Sequence, residues 1–302
     1  MSIQHFLTLD DFSTNDLKKL IARAIELKAE TKSGAIYEPL KNKSLAMIFS
    51  KSSTRTRVSF EVGMRQLGGS CINLTPNDTQ IGRGEPIEDT ARVISSMVDG
   101  VMIRTDLHSK VTSFADYSQV PVINGLTDLF HPCQLLADLQ TVEELRGQIS
   151  GTNVAWVGDG NNVCHSWMNA ARLFDFKLKI ATPEGFEPAQ DIQEKNAHFI
   201  SLSTDPKATV ENADIVVTDT WASMGQEKEK ESRSAVFASY CVDSQLMSLA
   251  DKDAIFLHCL PAYRGMEVSA EVIEGPQSAV FQEAENRLHA QKALLEQLLL
   301  AT

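Results

Sequence analysis

Several absences narrow what this chain can be. Only five cysteines occur in 302 residues, at 71, 133, 164, 241 and 259, and no two form a C-x-x-C pair. The odd count and wide spacing argue against a disulfide framework and fit free thiols in a reducing cytosol. They offer no zinc-ligand pattern either. No apolar run approaches the roughly 20 residues of a membrane span. The opening Met-Ser-Ile-Gln-His-Phe has no basic stretch ahead of an apolar one, so no secretory leader is expected and the expected location is the cytoplasm. Positive charge is also scarce: 28 Lys and Arg stand against 40 Asp and Glu, a formal net charge of −12. Nucleic-acid binding draws on an excess of basic residues, so no nucleic-acid partner is expected. There is no internal repeat and no low-complexity segment.

What is present is an alternation of strands and helices. Leu17 to Lys28 has apolar residues at helical spacing, and Leu45 to Phe49 reads as a buried strand. A helix from about Ser53 to Leu67, ended by Gly68-Gly69, leads to a short strand at Cys71 to Leu74. Ile87 to Val98 (helix), Gly100 to Arg104 and Val120 to Asn124 (strands) and Pro132 to Glu144 (helix) complete a first series. A second series follows: Val154 to Val157, helix Asn162 to Phe174, then strands at Leu178 to Ala181, His198 to Leu202, Asp214 to Thr218 and Ala254 to Leu257. Glu283 to Leu300 is a long amphipathic helix. Two such series predict two α/β domains, each a mostly parallel sheet flanked by helices. The expected division is 1–146 and 147–302, with the helix from about 283 packing back on the first domain.

The densest chemistry lies at 53–57, Ser-Thr-Arg-Thr-Arg, where a strand gives way to a helix. Unpaired N–H groups and the helix dipole favour an anion there, hydroxyls can donate to phosphate oxygens, and an arginine can grip two oxygens at once. The alternative is an N-cap followed by two solvated arginines. Val58 and Val62 are expected to face the core. Arg104 ends a strand, where ligands gather in open α/β sheets. His131-Pro-Cys-Gln134 opens a helix; taken alone it reads as a capped start with a satisfied histidine. "VGDGNN" at 157–162 has a G-x-G, but a dinucleotide fingerprint wants glycine where Val163 stands. Glu184 falls roughly where a ribose-binding acid would, although "ATPEG" reads as a turn. Asn161 and Asn162 can instead hold a carboxylate. Asp219 ends a strand, and the Ser-Met-Gly after it suits a lid. Cys259, in "LHCLPAYRG", is open to two readings, a nucleophile or a structural thiol.

Together and in order, Ser53-Thr-Arg-Thr-Arg57, His131-Pro-Cys-Gln134, Asp219-x-Trp-x-Ser-Met-Gly225 and His258-Cys-Leu-Pro261 resemble the aspartate/ornithine carbamoyltransferase family. The first two motifs are shared with aspartate carbamoyltransferases, whereas the last two are more specific to the ornithine branch. The likeness runs from the first helix to "EAENR" at 283–287.

The resemblance implies residue roles. Ser53, Thr54, Arg55 and Thr56 bind the phosphate of carbamoyl phosphate, Arg104, His131 and Gln134 surround its carbamoyl group, and Pro132 and Cys133 are further carbamoyl phosphate-binding residues. Gln80 reaches a neighbouring subunit's site, and Arg287 completes the phosphate site. Asn162, Asp219, Ser223 and Met224 bind ornithine's amino-acid end, and Cys259 and Leu260 line the region where the substrates meet. Arg104, His131, Thr56 and Cys259 are the catalytic candidates, and Arg57 is assigned to the loop or a subunit contact. The resemblance further implies a homotrimer or a multiple of trimers, no metal, no cofactor, and a step of arginine metabolism. The rivals are carbamoyltransferases for putrescine, acetylornithine or aspartate, and, from another class, a nicotinamide-binding dehydrogenase.

Overall fold

The computed structural model describes residues 3–51, 53–75, 84–221 and 230–301. It divides into two compact units, Met1–Gln140 with Glu285–Thr302, and Thr141–Ala284.

The first unit is built on β1 (Ser44–Phe49), β2 (Ser70–Leu74), β3 (Gly100–Arg104) and β4 (Val122–Leu126), in the order β2-β1-β3-β4. All pairs are parallel. Its helices are α1 (Thr14–Lys32), α2 (Thr54–Gln66), α3 (Ile87–Ser95), α4 (His108–Tyr117) and the start of α5 (Pro132–Arg146). On one face of the sheet, Ala46, Ile48, Val101, Ile103 and Val122 pack with Ala91, Val111, Phe114 and Ala115 from α3 and α4. Their neighbours along the strands, Leu45, Met47 and Met102, are equally buried. Burial on both faces is what a parallel sheet requires.

The last helix, α12 (Val280–Leu300), returns to this unit from Glu285 onward. Arg23 binds Glu296 at 3.0 Å and Lys28 donates to Asn286 at 2.7 Å. A Cβ at Gly100 would lie 2.8 Å from Leu299, so the glycine admits the helix against β3.

The second unit carries β5 (Asn153–Val157), β6 (Lys177–Ala181), β7 (Ile200–Ser203), β8 (Ile215–Thr218) and β9 (Ile255–His258). Their order is β7-β6-β5-β8-β9, again all parallel. Helix α6 (Asn162–Phe174) is almost wholly buried, and short helices α7 (Gln190–Asn196), α8 (Pro206–Val210), α9 (Lys230–Phe237), α10 (Ser244–Met247) and α11 (Ala270–Ile273) fill the periphery. Trp221, Phe237, Tyr240, Phe256 and the strand valines form the core on one side of the sheet.

Each sheet therefore has a strand pair at which the winding reverses, β1/β3 in the first unit and β5/β8 in the second. The carboxyl ends of such pairs leave a crevice that helices do not cover. All five cysteines are free thiols, and no helix among the described residues is long and apolar enough to cross a membrane.

Candidate active site

In the first unit the crevice lies where β1 leads into α2, beside the end of β3. Ser50 N–H donates to the Arg104 carbonyl at 2.8 Å, which ties the two strand ends together. Ser53 occupies the N-cap of α2 in extended geometry, but its side chain makes no capping hydrogen bond, and the first turn holds no acidic residue. The ordinary capped start is thus not what forms here. Expectation and structure differ on the helix face: Val58 is 55% exposed and Val62 half-buried, while Thr56, Ser59, Phe60, Gly63 and Met64 point inward. Rotating α2 this way carries Thr56 into the crevice.

Thr56 is where the side chains converge. Its Oγ1 accepts from Arg104 Nη1 at 3.3 Å and from Arg287 Nη2 at 3.2 Å. Arg287 Nη1 donates to Gln134 Oε1 at 2.6 Å, and Gln134 Nε2 donates to Asp138 at 2.8 Å. All of these side chains are buried. The acceptors that place the two guanidiniums at Thr56 are a hydroxyl and an amide, so they orient the cations without neutralising them. His131, at the head of α5, responds to that field. Burial first, then the charges of Arg287 and Arg104, hold its pKa well below the usual histidine value, so the ring is neutral. Both lone pairs of the Thr56 oxygen are used, which leaves its O–H as a donor.

The other expected residues of this unit are placed less uniformly. Pro132 and Cys133 lie in the first turn of α5, but the Cys133 thiol is turned to the Asn124 carbonyl at 3.3 Å, and burial pushes its pKa up to about 12. Arg55 is half-buried, Thr54 exposed, and Arg57 exposed in an ion pair with Glu61 at 3.6 Å. Gln80 lies outside the described residues, as do Ser223 and Met224.

In the second unit the crevice is lined from β5 and β8. Asn161 caps α6, accepting from Val163 and Cys164 N–H at 3.0 and 3.2 Å. Its Nδ2 donates to Asp219 Oδ2 at 2.8 Å, across the β5/β8 reversal. Asp219 Oδ1 accepts from Thr220 N–H at 2.7 Å and from the Cys259 thiol at 3.1 Å. Asn162 sits beside them, half-buried, with its carbonyl taken by Ser166. Asn161 is thus bonded to Asp219 through its side-chain amide. The sequence offered both asparagines, and only the cap geometry separates them.

Cys259 and Leu260 follow β9. Leu260 has φ of 54° and precedes a cis proline. Its N–H donates to His258 Nδ1 at 2.9 Å, so the ring proton is on Nε2, 3.2 Å from the buried Glu267 carboxylate. Asp219, His258 and Cys259 bring potential metal ligands within 4.8 Å of one another, yet both ring nitrogens of His258 are already engaged in shaping the loop.

Asp159 lies close by. Burial raises its pKa and Arg233, 2.8 Å away, opposes that. Gly160 has no space for a Cβ because residues 187–188 pass against it, and its N–H donates to Phe186 O at 2.9 Å. The glycine thus serves loop packing, Val163 is buried and Glu184 is exposed in a turn. Nothing in this stretch favours a dinucleotide.

Comparison with known proteins agrees with this layout. Residues 4–144 match the aspartate/ornithine carbamoyltransferase carbamoyl-P binding domain, and residues 150–298 match the Asp/Orn binding domain of the same family. The ornithine carbamoyltransferase of Hydrogenovibrio crunogenus is 61% identical over 299 residues, covering 99% of each chain. That of Methylococcus capsulatus is 61% identical over 301 residues, covering 100% of each. Among solved structures, the ornithine carbamoyltransferase of Burkholderia thailandensis superposes with a TM-score of 0.92 at 50% identity, covering 99% of each chain. On sequence, fold and full-length coverage alike, this chain belongs to the aspartate/ornithine carbamoyltransferase family.

Proposed function

We propose that this chain catalyses the ornithine carbamoyltransferase reaction, moving the carbamoyl group of carbamoyl phosphate to the side-chain amine of L-ornithine to give L-citrulline and phosphate. The observation that carries the reading is the 61% identity, over essentially the whole length, to proteins named for that activity. The geometry supplies the physical support.

The first unit receives carbamoyl phosphate. Ser53, Thr54, Arg55 and Thr56 meet the phosphate at the open start of α2, with Arg287 beside them. Carbamoyl phosphate is an activated acyl donor with a good leaving group, so the chemistry requires neither metal nor covalent intermediate. The ornithine amine attacks the carbamoyl carbon once it has lost its proton, because an ammonium has no lone pair. Negative charge then develops on the carbamoyl oxygen. Arg104, the neutral His131 and the Thr56 hydroxyl are the donors for it, and such a donor is commonly worth about 3 kcal/mol. A histidine kept neutral by its surroundings donates one N–H without adding a third charge.

The second unit receives ornithine. Asp219, oriented by Asn161 and Cys259, supplies the anion for an amino group, and Asn162 with Ser223 and Met224 completes the contacts to the amino-acid end. Cys259 positions Asp219 and does not become acylated. The protein acts in the cytoplasm as a homotrimer or a multiple of trimers, with Gln80 reaching a neighbouring subunit's site.

The test is citrulline formation from carbamoyl phosphate with ornithine, acetylornithine, putrescine and aspartate compared side by side. Ornithine is expected to exceed each of the others by at least about a hundredfold in kcat/KM, the discrimination reached when buried polar groups lose a partner. Equal or better turnover of another amine would reassign the substrate. A molar mass below a trimer in sedimentation equilibrium would remove the oligomer.

A further inference from the structure

Arg287 and Gln291 are four residues apart on α12, so their side chains lie on one face of the helix. Gln291 is 0% exposed, and a buried amide must have its oxygen facing donors and its nitrogen facing acceptors. In the orientation that satisfies this, its nitrogen donates to Ser59 Oγ at 2.6 Å. Its oxygen accepts from Arg287 Nε at 3.2 Å and Nη2 at 3.1 Å. Ser59 in turn donates to the Arg55 carbonyl at 2.8 Å. One amide therefore joins Arg287 to the first turn of α2. The approach of the helices that permits this is set by Gly63, where a Cβ would lie 3.3 Å from Lys292 and 3.6 Å from Leu288.

We infer that Gln291 is a positioning residue for carbamoyl phosphate, acting through Arg287. The inference rests on the reading of Arg287 as a ligand of that substrate. A guanidinium recognises oxygens lying in its own plane. Gln134 on Nη1 and Thr56 on Nη2 hold two points of that plane. Gln291, on the Nε edge, holds a third. An amide does this without cancelling the charge, which a carboxylate at the same place would.

The test uses the full chain and calorimetric titration of carbamoyl phosphate into wild type, Gln291→Met, Arg287→Ala and the double variant. Methionine keeps the length and shape of glutamine and removes its hydrogen bonds. Gln291→Met is expected to raise the carbamoyl phosphate Kd about tenfold, equivalent to about 1.4 kcal/mol, with the ornithine KM within about twofold of wild type. In the Arg287→Ala background the same change is expected to add less than about twofold, because the group it orients is gone. An equal effect in both backgrounds overturns the inference, since Gln291 would then act on the fold alone. Weaker binding in Arg287→Ala with none in Gln291→Met overturns it while leaving Arg287 as a ligand. Unchanged binding in Arg287→Ala removes the ligand reading and the inference with it. If Gln291→Met does not fold, Ser59→Ala frees the far end of the amide. It is expected to raise the Kd about two- to threefold, and no change there also overturns the inference.

Discussion

The two strand-end crevices use one architectural device and arrive at opposite chemistry. In the first unit, the β1/β3 reversal gathers Arg104 and Arg287 around a threonine hydroxyl, with a histidine that burial and the two cations keep neutral. In the second, the β5/β8 reversal gathers a carboxylate, Asp219, held by an asparagine, a backbone N–H and a thiol. The backbone logic is shared, and the side chains decide the ligand. A cationic crevice of hydroxyls and guanidiniums suits an acyl phosphate. A carboxylate beside amide groups suits an amino acid that carries ammonium groups. One catalyst for a phosphate donor and an amine acceptor needs both.

That contrast predicts which substrate each substitution affects. The largest effect belongs to Arg104→Gln, expected to lower kcat by about 10²–10³, as loss of a donor to developing charge does elsewhere. Stopped-assay citrulline rates, with circular dichroism to show the fold intact, check it. Next is Asp219→Asn, which keeps the shape and removes the charge. A lost charged hydrogen bond of about 1.5–3 kcal/mol raises the ornithine KM about 10- to 150-fold. The carbamoyl phosphate KM is expected to move by less than about threefold, as measured by two-substrate kinetics.

Cys259→Ser is expected to fall less than about tenfold, because a hydroxyl can still donate to Asp219 and no acyl-thiol intermediate is needed. Rapid-quench mass spectrometry showing carbamoyl-Cys259 would contradict that. The smallest effect is on stability. The His131 pKa is depressed in the fold, so the unfolded chain binds more protons below the ordinary value of 6.5. Its contribution is complete above about pH 6.5 and is lost as pH falls toward the folded-state pKa, with a limiting slope of about 1.4 kcal/mol per pH unit. His131→Gln is expected to reduce the slope of denaturation free energy between about pH 5 and 6.5 without abolishing it, since burial also depresses His5 and His108.

Much of this was legible in the chain itself, and the exceptions have physical causes. The long helices and most central strands declare themselves by apolar periodicity. Helix α4 carries only Val111, Phe114 and Ala115 on its buried face, a signal of one turn that is easily passed over. Helices of four to seven residues such as α7, α10 and α11 are too short for any period. Strand β4 begins at Val122 and not at Val120, since the proline between them has no N–H to enter the ladder. In α2 the valine spacing points Val58 and Val62 inward, but the inward stripe is built on Phe60 and Met64, with Thr56 one turn earlier. The hydrophobic pattern alone does not reveal that a threonine and a serine are buried.

The site divides in the same way. Arg104, Thr56, Gln134 and Arg287 were named from motifs, and they meet. Gln291 was not, because its role comes from a contact between distant segments, and Asn161 was offered only alongside Asn162 until the cap geometry singled it out. The i, i+4 spacing of Arg287 and Gln291 was the one clue present in the chain.

The most direct test of the central claim is a two-substrate kinetic comparison of Thr56→Val and Asp219→Asn. Thr56→Val is expected to raise the carbamoyl phosphate KM at least about tenfold with little change for ornithine, and Asp219→Asn to do the reverse. If both variants raise the same KM, or if each affects the other's substrate, the assignment of an anion crevice and an amine crevice is wrong.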